Sequence, residues 1–152
     1  MEVIPTGPQI IHIFMLVWGA LAVSGIWESC VEGRSAWSTS KLGWKIQIGT
    51  FTLTGYHFYL FWVMYPLLLA LPFVFTGWNP RLFGVLVSAY ATGVLIEDIV
   101  WYIANPVVRF SEWFTEFSDY YPWVRIGGQK IIPLGYVIGV ALAVASWYFL
   151  WR

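Results

Sequence analysis

The stretch "ATGVLIEDIVWYIANP", residues 91–106, places two adjacent carboxylates, Glu97 and Asp98, in an otherwise apolar segment. Extended back to Leu82, the segment runs to Ala104, long enough for the roughly 20 residues that a helix needs to cross a bilayer. The whole chain has the same character. Of its 152 residues 59% are hydrophobic and 11% charged, with a mean hydropathy of +0.69, a composition that predicts an integral membrane protein.

Working outward, three more segments reach spanning length. The first is expected over about residues 9–27, between Pro8 and Glu28. The second lies in the run Ile46 to Pro80, which carries no Asp, Glu, Lys or Arg and exceeds one perpendicular span. Its membrane part is expected at about 55–75, with "KIQIGTFTLT" as a lead-in of unassigned structure. The third span is about 82–104, after the turn "TGWNPR", and the fourth about 133–150. Together they predict an all-α fold, a single transmembrane domain over residues 1–152 built as a four-helix bundle. The start "MEVIPTGPQ" has no Lys or Arg, so an uncleaved first helix is expected rather than a secretory signal.

Between the third and fourth spans, Asn105 can cap and Pro106 can open a helix. Phe110, Trp113, Phe114, Phe117 and Tyr121 then recur at helical spacing, opposite Glu112, Glu116 and Asp119. That pattern predicts an amphipathic interfacial helix over about 106–121. Its polar face is acidic, so attraction to anionic lipid is not what would hold it.

Arg34, Lys41, Lys45, Arg109, Arg125 and Lys130 fall in the two loops on one side, against Arg81 and Arg152 on the other. The positive-inside rule then puts both termini outside. Trp78 on the outer side and Trp37, Trp44 and Trp123 on the inner side suit the interfacial belts of a tryptophan-rich chain.

Depth can now be counted. At 1.5 Å per residue, Glu97 and Asp98 lie roughly 22–24 Å from the outer end of the third helix, and His57 roughly 27 Å from that of the second. Glu28 and Tyr136 fall at a similar level, so four helices each offer a polar side chain toward one leaflet. Ala89, Gly93, Glu97 and Trp101 form one stripe at four-residue spacing, which turns Glu97 toward the bundle. Asp98 is about 100° further round. The stripe Gly135, Gly139 and Ala143 makes the fourth helix the expected close neighbour.

Charged groups in hydrocarbon pair, take up a proton or line a wet cavity. Two readings follow: a lock between helices, in which the carboxylates accept from Trp101, Tyr102, Tyr136 or Arg125, or a site for protons, an ion or a lipid head group. As metal ligands Glu97, Asp98 and His57 are a thin set, since H-x-x-H, H-E-x-x-H and E-x-x-H are absent and adjacent helical residues diverge. His12 is predicted at the opposite end from His57, which argues against a bis-histidine heme. The lone Cys30 excludes an intramolecular disulfide. No phosphate loop or nucleophile elbow occurs. A net charge of zero, without basic blocks, does not favour nucleic acid.

The positions Glu97, Asp98, Trp101, Tyr102, Asn105 and Pro106, followed by Trp123, Pro133 and Tyr136, resemble a segment, E-D-[FI]-x-W-[FY]-x-x-N-P, shared by small polytopic membrane proteins of archaea and bacteria with no assigned activity. The resemblance covers the second half of the chain and implies a prokaryotic cell membrane. Where that group carries a histidine in the loop, "YYPWVRIGGQK" has none, which argues against a metal role by analogy. Two function classes are therefore expected. The leading one is a noncatalytic accessory subunit of a membrane complex, such as an oxidoreductase or monooxygenase, with other subunits as partners. The other is a stand-alone protein using Glu97, Asp98 and His57, with Glu28 and Tyr136 near. Bound lipid is expected, and a metal ion is left open.

Overall fold

The structure is a computed structural model and describes residues 5–36, 41–49 and 51–152. Glu2 and Trp37, used above for the chain start and the aromatic belt, lie outside them. Among the described residues, four helices are long and apolar enough to cross a membrane: α1 (Gly7–Glu32), α2 (Gly55–Thr76), α3 (Pro80–Ala104) and α4 (Leu134–Trp151). The first three contain their expected spans, and the fourth begins one residue later than expected because Pro133 ends a strand. The largest difference is at α1, which continues past Trp27 to Glu32 because Glu28 and Glu32 are buried against other elements rather than left in water.

The fold is not wholly helical. The lead-in "KIQIGTFTLT" forms a hairpin, β1 (Lys45–Ile48) with β2 (Phe51–Thr54), and a second hairpin, β3 (Trp123–Ile126) with β4 (Gln129–Pro133), precedes α4. Gly127 and Gly128 both have positive φ, 57° and 84°, as a two-residue turn matched to strand twist requires.

A continuous helix over 106–121 does not form. Asn105 Oδ1 accepts from the backbone N–H of Val107 and Val108 at 2.9 and 2.8 Å, making a turn rather than a helix start. Two short 3₁₀ turns follow, Phe110–Phe114 and Glu116–Ser118, separated by Thr115 in an extended conformation. The Thr115 hydroxyl accepts from Phe117 N, so a local side-chain bond replaces the helical ladder. Of the aromatic residues, Trp113 still buries against Trp101, Tyr102 and Val108, flanked by Phe117, Tyr121, Trp123 and Tyr136, while Phe110 and Phe114 stay exposed.

The bundle is organised on α3. Against α1 it packs Ala89 on Val17 and Leu21. A Cβ at Gly25 would collide with the Glu97 carbonyl oxygen, and one at Gly93 with Leu21, so glycine is what lets the two backbones approach. The stripe Ala89, Gly93, Glu97 and Trp101 thus faces α1, not α4. On another side of α3, a Cβ at Gly139 of α4 would lie 2.9 Å from Leu95 Cδ1 and 3.2 Å from the Ala91 carbonyl, while Gly135 has nothing within 4 Å. The hydroxyls of Ser88 and Ser146 donate to Ala143 O and Gly84 O, at 3.0 and 2.9 Å, across that contact.

α2 contains a π-helical stretch, Phe58–Met64, in which Tyr65 N bonds back to Leu60 O. In that pattern Phe61 O would be met by residue 66, which is proline and has no N–H. The Tyr90 hydroxyl of α3 supplies the donor instead. Large apolar side chains on the helix exteriors stay open, Trp62 and Val74 among them.

Candidate functional site

Both hairpins, the 3₁₀ turns and the loop ends of all four helices gather at one end of the molecule. Asn105 Nδ2 ties the end of α3 to Gly33 O beyond α1, at 2.9 Å. Within this loop end the predicted residues do not form one cluster. They separate into three groups.

The first group is a carboxyl pair. Glu28 of α1 and Glu97 of α3, 3% and 5% exposed, lie beside each other in the α1–α3 seam, where Gly25 meets the Glu97 backbone. Two carboxyl groups can share a hydrogen bond only when one carries a proton, because an ionised carboxylate has no donor. The Tyr56 hydroxyl donates to Glu28 Oε1 at 3.0 Å. Among the described residues, the ion pairs of this end go to Glu32, Glu112 and Asp119, not to Glu28 or Glu97.

The second group surrounds Glu32, one turn along α1. Its Oε1 lies 2.7 Å from Lys41 Nζ and 3.4 Å from His57 Nε2. His57 is held from the other ring nitrogen: Thr54 Oγ1 is 2.7 Å from Nδ1 and also accepts from His57 N at 3.3 Å. The Glu32 carboxylate beside Lys41 can only accept, so in a neutral imidazole Nε2 carries the N–H that faces it and Nδ1 accepts from the Thr54 hydroxyl. His57 thus belongs with Glu32 rather than with Glu97 and Asp98.

The third group is Asp98, which receives a hydroxyl on each oxygen: Tyr121 on Oδ1, and Tyr136 on Oδ2 at 2.7 Å. Burial, and then the Asp98 charge, push the Tyr121 hydroxyl well above its ordinary range, so it remains a donor. Of the other expected donors to the carboxylates, Tyr102 bonds to the Tyr120 hydroxyl at 2.9 Å and Arg125 to Asp119. Trp101 is buried, its Nε1 without a hydrogen bond among the described residues.

Glu97 and Asp98 therefore face different helices. Among the described residues, no group of three or more His, Cys, Asp or Glu is arranged to hold a metal ion. The sequence reading missed Glu32, Lys41, Thr54, Tyr56 and Tyr121. The four-residue spacing of Glu28 and Glu32 was the available signal for the first of these, since it puts both on one helical face.

On the far side of the carboxyl pair most hydroxyls end on backbone: Tyr90 donates to Phe61 O, Ser88 to Ala143 O and Ser146 to Gly84 O, joining helices, and Thr92 to Ser88 O within α3. A carbonyl has no proton to pass on. Ser24 of α1 and Tyr65 of α2 instead bond hydroxyl to hydroxyl.

Compared with known proteins, the chain matches no family model, no curated protein and no solved structure.

Proposed function

We propose that this is an integral membrane protein of a prokaryotic cell, with the loop end cytoplasmic and both termini outside, whose Glu28–Glu97 pair binds and releases a proton exchanged with the loop side. The observation that carries this reading is a pair of neighbouring buried carboxyl groups that makes no ion pair among the described residues. The proton is the cheapest neutraliser for such a pair in a low-dielectric setting. Tyr56, Glu32 and His57 supply groups toward the loop side that can hand a proton on, while on the other side Tyr90, Ser88 and Ser146 end on carbonyls and Ser24 and Tyr65 bond to each other. The chemistry is reversible protonation reached from one side, not conduction through the bundle. Because Glu28 and Glu97 meet where Gly25 lets α1 approach α3, the charge on the pair sets how closely those helices pack.

The test uses proteoliposomes of known orientation with a pH dye on each side. Proton uptake is expected after acidification of the loop side, not of the terminus side, and is expected to be lost in Glu97→Gln that keeps its thermal midpoint. Uptake unchanged in that variant, or steady conduction across the bilayer, would overturn the reading.

A second reading is the noncatalytic subunit of a larger membrane complex. It is favoured by Asp98, whose two tyrosine donors from α4 and the loop satisfy it as an interhelical lock. Native mass spectrometry after mild extraction from the protein's own membranes separates the two. Larger subunits on the chain support the subunit role, and a lone chain or small homo-oligomer supports the stand-alone one.

A further inference from the structure

The hairpin β1–β2 has one apolar and one polar face. Ile46 pairs with Leu53 and Ile48 with Phe51, so these four apolar side chains share one face, and Lys45, Gln47, Thr52 and Thr54 share the other. The polar face meets the bundle at Thr54, which is fully buried against His57, while Lys45 and Gln47 are exposed. On the apolar face Ile46 and Ile48 are 52% and 60% exposed, and Phe51 and Leu53 half-buried. Trp44, two residues before Ile46, continues the apolar face, and its ring packs on Phe58 and Tyr59 of α2.

We propose that this hairpin is an interfacial wing, lying with its apolar face in the boundary between lipid head groups and acyl chains beside α2. The inference rests on the membrane reading above. Continuity argues for lipid as the occupant. β2 passes into α2 without a loop, Gly55 N donates to Trp44 O at 2.9 Å, and Tyr59, half exposed on α2, stands beside Trp44. An apolar face that continues the lipid-facing surface of a span, with Trp44 at the junction, has the composition of the membrane interface.

The test is site-directed spin labelling of the full chain in lipid bilayers. Cys30 is replaced by Ser and single cysteines are placed at Ile48, Gln47 and Leu67. Collision with dissolved oxygen is compared with collision with a water-soluble nickel chelate. The oxygen-to-nickel ratio is expected to be severalfold higher at Ile48 than at Gln47. Equal ratios would place the hairpin in water, and a label at Ile48 shielded from both reagents would mean a protein partner or second copy covers it; either result overturns the proposal. Leu67, 64% exposed near the middle of α2, reports on the premise. Nickel access there removes the membrane reading and the wing with it, whereas oxygen access there with nickel access at Ile48 removes the wing alone.

Discussion

The seam between α1 and α3 and the loops that cover its end use the same acidic residues for opposite purposes. In the seam, Glu28 and Glu97 are buried, close to each other and without an ion pair of their own among the described residues. In the loops, Glu112 meets Arg34 through both guanidinium nitrogens, at 3.2 and 2.7 Å, and Asp119 meets Arg125 and Lys130, each at 2.9 Å. A carboxylate in water keeps its charge and gains little from a partner, while one in a packed seam must resolve its charge before the helices can close. The difference is solvent, not residue type.

If the seam is as tight as the glycines imply, Gly25→Ala has the largest effect, a loss of about 3 kcal/mol from forcing a methyl group into backbone. Gly19→Ala on the same helix has nothing within 4 Å and is expected to leave the unfolding midpoint in detergent unchanged. Equal effects would break the comparison. Asn105→Ala comes next, at about 2 kcal/mol, because it removes both bonds of the turn and the link to Gly33. Tyr121→Phe removes one of two donors to Asp98 and is expected to cost about 1.5 kcal/mol by the same measurement.

The smallest effect belongs to the loops. Arg34 holds the Glu112 carboxyl down to about 2, from an ordinary 4.5, by hydrogen bonding. A group lowered on folding adds stability that is complete above its unfolded value and is lost as pH falls through its folded one. The contact is therefore expected to persist unchanged from neutral pH to about 4.5 and to be lost toward about 2. A carbon-13 titration of the Glu112 carboxyl checks this, and a midpoint near 4.5 would contradict it. Glu112→Gln at neutral pH is expected to lower the thermal midpoint by less than Gly25→Ala, Asn105→Ala or Tyr121→Phe does.

The four helices were legible because twenty apolar residues admit few other structures. Counting 1.5 Å per residue also put Glu28 and Glu97 at one level, and in the structure they meet. The last turn of α1 was not legible, since Glu28 and Glu32 read as the end of an apolar run and their burial depends on partners distant in sequence. The alternation Lys45, Ile46, Gln47, Ile48 was present in the sequence, yet the surrounding run without charges obscured it. The loop after Asn105 misled in a different way. Its aromatic spacing is helical, but Asn105 and Thr115 bond to their own backbone and shorten the helix into turns. Which side of α3 faces α1 depended on comparing glycines across two helices, and no single stripe encodes that choice.

The central claim, a proton held between Glu28 and Glu97, is tested most directly by infrared spectroscopy of the protein in lipid at neutral pH. A protonated-carboxyl stretching band is expected in the wild-type chain and should be absent from both Glu28→Gln and Glu97→Gln. A wild-type spectrum without that band, or a band that survives both substitutions, would contradict the account.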